Sequence, residues 1–171
     1  MDRMMTGHPP TLHMLCGKIA SGKSTLAAEL GRVEGTVILV EDDWLHALYA
    51  DQLSTLPDYR RCTAKLRQAM GPHIISLLKA GLSVVLDFQA NTVESRRWMR
   101  GLLDQTTASH ALHFLDVSDA DCLARLQRRN ASGAHPFAVT EAQFQQFSQH
   151  FVAPTPAEGF HIVTHPGATD S

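Results

Sequence analysis

Gly17-Lys18-Ile19-Ala20-Ser21-Gly22-Lys23-Ser24, followed by Thr25, fits G-x-x-x-x-G-K-[ST] without a mismatch. Two glycines let the backbone turn back and approach a phosphate with no Cβ in the way. Successive main-chain N–H groups then form a nest for an anion at the start of a helix. Lys23 brings a positive charge to the β- and γ-phosphates, and Ser24 offers a hydroxyl to Mg²⁺, a hard cation that takes oxygen ligands. A match by chance arises in about one chain in a hundred at ordinary residue frequencies. The chemistry indicated is the binding of a nucleoside triphosphate, with residues 17–25 as its cradle.

A second set of charged residues falls at places that matter for the same chemistry. Glu41-Asp42-Asp43 follows the β-branched run Thr36-Val37-Ile38-Leu39-Val40, and Asp87 ends the apolar run Ser83-Val84-Val85-Leu86. Ligands of open α/β sheets bind beyond the carboxyl ends of strands, so these acids are expected beside the phosphate loop. Two carboxylates there repel a nucleotide unless Mg²⁺ or a reacting hydroxyl uses them. The structural alternative is that one Asp caps a helix beginning near Trp44. Asp87 followed by Phe88 has the form of a magnesium-water acid, without the Glu that motor ATPases use to activate water. Arg125 and Arg129 are four apart on an expected helix 120–130, with Arg128 in the same quadrant. Beside the turn that follows, they read as a lid over 125–137 that closes on phosphates.

Elements that position these residues alternate in type. The run 12–16 is a buried strand, and the helix formers from Leu26 begin the first helix. Strands are expected at 36–40, 83–87, 111–117 and 160–164. Between them lie a helical region from Trp44 to Pro57 and a long helical pattern from Pro57-Asp58 to Lys79, divided or kinked at Gly71-Pro72. Further helices are expected at 91–103 and from Thr140-Glu141, the latter with Phe144, Phe147 and Phe151 as a core stripe. Arg60, Arg61, Lys65 and Arg67 read as a solvated face, with Arg60 or Arg61 facing an anionic substrate as the alternative. Residues 1–11 and 166–171 read as flexible ends. Five strand–helix alternations imply a parallel sheet with right-handed crossovers.

The 171 residues suggest one domain, 1–171, and 44% hydrophobic residues exclude a disordered chain. A net charge of −2 argues against nonspecific nucleic-acid binding but not against a nucleic-acid end as substrate. Cys16, Cys62 and Cys122 fit neither a zinc pattern nor a disulfide framework, and point to reduced thiols and a cytoplasmic location. No run has transmembrane length. The ten histidines show no metal-ligand spacing; His110 and His113 fall on opposite faces of a strand.

Over residues 12–165 the chain resembles the small P-loop kinases, in the group holding polynucleotide kinase, chloramphenicol phosphotransferase and the zeta toxins. The resemblance rests on Gly17–Thr25, Asp42-Asp43, Asp87 and the arginine helix. It implies a three-layer α/β/α P-loop fold, with strand order 2-3-1-4-5, a helical substrate region at 44–72 and a short lid. It also implies ATP and Mg²⁺ as cofactors and a hydroxyl acceptor whose proton goes to Asp42, with Asp43 as fallback. Lys23, Arg125 and Arg129 would act on the transferring phosphoryl group, and Ser24 and Asp87 on the metal. Polynucleotide kinases tend to place an Arg shortly after the acidic pair. Here the stretch Trp44-Leu45-His46-Ala47-Leu48 offers only His46, which favours a small-molecule acceptor over a nucleic-acid end. The alternative from another class is a nucleotide-binding switch that acts through a protein partner.

Overall fold

A computed structural model describes residues 8–133 and 138–167. Five strands, β1 (Thr11–Cys16), β2 (Thr36–Val40), β3 (Ser83–Gln89), β4 (Ser109–Asp116) and β5 (Ile162–Pro166), form one sheet in the order β2-β3-β1-β4-β5. Every neighbouring pair is parallel. This is the order and direction expected from the sequence. The reversal of strand order at β1 opens a crevice at its carboxyl end, where the phosphate loop lies.

Helices cover both faces. Alternate β1 side chains, Leu12, Met14 and Cys16, join Val84, Leu86 and Phe88 of β3 in the larger core. Onto it pack Leu45 of α2 (Glu41–Tyr49), the stripe Cys62, Leu66, Met70, Ile74 and Leu78 of α3 (Leu56–Lys79), and Met99, Leu102 and Leu103 of α4 (Val93–Leu103). On the opposite face Leu15 and Val85 meet Ala27 of α1 (Lys23–Leu30). There too Leu115 and Val117 meet Cys122 and Leu126 of α5 (Asp119–Ser132) and Phe144 of α6 (Glu141–Ser148). Burial of these two apolar surfaces is the dominant favourable term in the fold.

Several elements differ from the sequence reading. Helix α3 is continuous through Gly71-Pro72, because its apolar stripe runs unbroken across the proline and its packing outweighs one lost hydrogen bond. Gly71 is buried, and a Cβ there would stand 3.4 Å from Leu102 Cδ2, so the glycine sets the approach of α4. The break expected at Pro57-Asp58 is the start of α3: Thr55 and Asp58 form a reciprocal capping box with Pro57 in the first turn. The phenylalanine stripe is not a core stripe. Phe144 is fully buried, Phe147 is 44% exposed, and Phe151 lies beyond the helix end. The ends are more ordered than expected: Thr11 belongs to β1, and Pro166 to β5, which begins two residues later than the run Phe160–Thr164 suggested. The rest of the expected flexible ends, and residues 134–137 of the lid, lie outside the described residues.

Three histidines form a chain across neighbouring strands on the α1–α5 face. His13 Nδ1 lies 3.0 Å from His113 Nε2, and His113 Nδ1 lies 2.9 Å from His165 Nε2. His113 is only 6% exposed, and burial, then its two histidine neighbours, lower its pKa to about 4. Above pH 6.5 it is neutral folded or unfolded. As the pH falls from 6.5 toward 4, the unfolded chain binds a proton that the folded chain refuses. Stability present at neutral pH is therefore lost across that window, by at most about 3 kcal/mol. Urea unfolding at pH 7.5 and pH 5 should show this loss, and His113→Asn should reduce it.

Candidate active site

The phosphate loop connects β1 to α1 through two left-handed residues, Ala20 at φ +62° and Gly22 at φ +101°. Gly22 is the N-cap of α1, and Lys23 and Ser24 open the helix, so the dipole and unpaired N–H groups of its first turn face the loop. Gly17 is required by packing: a Cβ there would sit 2.4 Å from the buried Ser21 Oγ. That hydroxyl finds no hydrogen-bond partner among the described residues. Ser24 and Thr25 are exposed on the first turn. Lys23 Nζ donates to the carbonyls of Gly17 and Lys18. The side chain of Lys18 turns out of the loop to Asp119 at the start of α5, and Ile19 packs toward α5 and α6. Lys18 and Ile19 thus enter the cradle through their main chain.

The acids converge on Lys23. Asp42 and Asp43 stand in the first turn of α2, where the helix dipole favours them; Val40 is the N-cap, and no side chain caps this helix. The alternative in which an Asp serves only as a cap therefore fails. Asp87 pairs in register with Val40, at the end of the neighbouring strand. Burial pushes the Asp87 carboxyl up, Lys23 pulls it down, and Asp42, Asp43 and Glu41 push it up again. Burial lowers the pKa of Lys23, against the opposing pull of Asp87, Cys16 and Asp42. Asp42 thus acts on both the ammonium and the third-strand acid. Cys16, nearby, is no nucleophile: burial raises its thiol to about 11.

Arg125 reaches the loop, its Nη1 donating to the Ser21 carbonyl at 3.3 Å. Arg129, one turn further along α5, is not brought onto the loop by any contact described. Its Nε is buried and has no hydrogen-bond partner among the described residues. Arg60 is exposed and Arg61 pairs with Asp58 on the outer face of α3, in keeping with a solvated face.

Two supports of the site are not visible in the local pattern. Asn91 reads as the opening of α4, but Thr92 is the N-cap, accepting from Ser95 N. Asn91 is left to pair with the loop: Gly17 N donates to Oδ1 and Nδ2 donates to Gly17 O, both at 2.9 Å. An asparagine next to a residue able to cap alone was the signal available. Asn91→Ala removes both bonds, each worth about 1 kcal/mol net. It is expected to weaken MgATP binding about tenfold by calorimetry; unchanged affinity would show that the loop holds its shape unaided. The other support is Glu41, buried at 2% exposure and bound bidentately by Arg67, 2.9 Å at Nε. Arg67 also donates to Ser95 Oγ and to the carbonyl of Gln89. One guanidinium thus ties the first turn of α2 to α3, α4 and the end of β3, and so fixes Asp42 relative to Asp87.

Among the described residues no three His, Cys, Asp or Glu side chains converge as a resident metal site would require. The donor set fits a Mg²⁺ that arrives with a nucleotide instead: one hydroxyl, Ser24, and a half-buried carboxylate, Asp87, the remaining ligands being phosphates and water. The same residues show no helix long and apolar enough to cross a membrane.

Solved structures share this architecture. A provisionally named kinase from Chloroflexus aurantiacus superposes with a TM-score of 0.71 at 19% identity, covering 94% of this chain and 86% of its own. A sugar kinase from a Janibacter species gives 0.66 at 16% identity, with 92% and 86% covered. The APS kinase CysC of Mycobacterium tuberculosis, determined with AMPPNP and APS, gives 0.60 at 20% identity, with 92% and 89% covered. At such identities these likenesses establish the fold. No curated protein matches the chain significantly in sequence. A family model described as an AAA domain does match it, over residues 12–154, and the protein therefore belongs to that family, a group of ATP-binding P-loop kinase domains.

Proposed function

We propose that the protein is an ATP-dependent phosphotransferase that moves the γ-phosphoryl group of MgATP to a hydroxyl of a small molecule. The observation that carries this reading is the electrostatic cluster of Lys23, Asp42 and Asp87 at the mouth of the phosphate loop. The loop amides of residues 17–25 and Lys23 hold the β- and γ-phosphates. Ser24, and Asp87 through water, hold Mg²⁺, which supplies charge neutralisation when bound. Asp42 orients the acceptor hydroxyl and takes its proton. Arg125 and Arg129 close over the transferring group. Phosphoryl transfer asks for positioning and charge stabilisation more than for covalent help, and these residues supply both. The helices of residues 44–72 form one wall of the acceptor side, and the chain acts as a single domain.

The test is an ATP-consumption assay over a library of small alcohols. A kinase consumes ATP faster when its acceptor is present, and the label of [γ-³²P]ATP appears on that compound. MgATP binding with a low hydrolysis rate that no alcohol raises would favour a nucleotide-dependent switch instead.

A further inference from the structure

Beside the phosphate loop lies a cleft of about 80 Å³. Its walls are Lys18 and Ile19 of the loop, the turn from Gln89 to Thr92 between β3 and α4, and Phe147 to Phe151 after α6. Gln89 and Asp87 are two apart on β3 and share a face. The Gln89 carbonyl is joined through Arg67 to Glu41, the neighbour of Asp42. The cleft therefore opens next to the acid cluster, on the side of the loop where an acceptor must stand.

Its chemistry is selective. Phe147 is 44% exposed, and the face of Phe151 carries the Lys18 ammonium 5.2 Å from its centroid. Amide and hydroxyl groups of Gln89, Thr92 and Ser148 complete the lining. The lining contains one lysine and no arginine, and that lysine is bound to Asp119. The other cations of this edge are also engaged: Arg67 by Glu41 and Arg96 by Glu158. A phosphate or sulfate on the acceptor would meet no uncommitted cation in these walls, while Asp42, Asp43 and Asp87 stand close by. Aromatic faces, neutral donors and acceptors, and neighbouring acids suit a different molecule.

We infer that the acceptor is an uncharged, ring-bearing alcohol held in this cleft, its ring against Phe147 and Phe151 and its hydroxyl toward Asp42. The inference rests on the phosphotransferase reading and names the acceptor class for it. Nucleotides, sugar phosphates and nucleic-acid ends are rejected.

The test uses the full chain saturated with MgAMPPNP and two matched pairs: thymidine with its 5′-monophosphate, and phenyl β-glucoside with its 6-phosphate. Binding is read by saturation-transfer NMR with competition. The neutral member of each pair is expected to bind at least tenfold tighter than the phosphorylated one. Phe147→Ala, at a partly exposed position, is expected to weaken the neutral members fivefold or more and leave the affinity for MgAMPPNP unchanged. Equal or tighter binding of the phosphorylated members, binding of neither member, or indifference to Phe147→Ala overturns the inference. Calorimetry with MgATP on the same sample separates the two levels: no heat sinks the nucleotide reading itself, whereas heat followed by any of those outcomes removes only the acceptor class.

Discussion

Asp42→Asn is expected to slow phosphoryl transfer about a thousandfold, near 4 kcal/mol of transition-state stabilisation, and to leave MgATP affinity almost unchanged. The substitution keeps the shape and one acceptor oxygen but removes the ability to take a proton. Asp42 is preferred to Asp43 on a particular ground. Both carboxylates act on Asp87, but only Asp42 also acts on Lys23, the residue that holds the γ-phosphate in the proposed complex. A base must face the transferring group, and that is the side on which Asp42 makes itself felt. Single-turnover transfer from labelled ATP, alongside calorimetry, measures the two quantities separately. Normal transfer by Asp42→Asn, with loss in Asp43→Asn, would move the base by one residue.

Arg129→Ala should cost turnover a comparable amount, roughly a thousandfold, with little change in nucleotide affinity. An arginine that meets charge only as it develops stabilises the transition state and not the bound ground state. The structure distinguishes it from its neighbour on the helix. Arg125 already holds the Ser21 carbonyl, so Arg125→Ala is expected to loosen the loop and weaken both binding and turnover. Arg129 makes no such contact, and its buried Nε has a hydrogen bond still to give. Steady-state kinetics with saturating ATP separates the two variants, and normal turnover in Arg129→Ala would remove it from the reaction.

The parts of this site that could be read from the sequence are those that local chemistry fixes. The loop, its strand and its helix declare themselves within fifteen residues, and acids at strand ends follow from the geometry of parallel sheets. What could not be read depends on partners far along the chain. Asn91 looks like a helix opener because its partner, Gly17, is 74 positions away. Arg96 reads as one of several arginines on a surface helix, yet it is 1% exposed, since its partner Glu158 comes from beyond α6. The chain of His13, His113 and His165 depends on the register between three strands, which no single run of residues encodes. Local readings that failed did so where tertiary packing overrode propensity. Helix α2 begins three residues before Trp44, because the helix dipole accepts the acids in its first turn. Helix α3 passes through a proline that would end an isolated helix.

Arg96 also has a meaning for the order in which the protein is assembled. It donates to the carbonyls of Ala90 and Val152 at 2.8 Å and is neutralised by Glu158 at the same distance. Until residue 158 has been synthesised and has docked, the emerging polypeptide holds an uncompensated cation against an apolar wall, a penalty of several kcal/mol. The early half of the sheet therefore cannot settle by itself on the ribosome. Its closure waits for a short strap translated more than sixty codons after the arginine it neutralises.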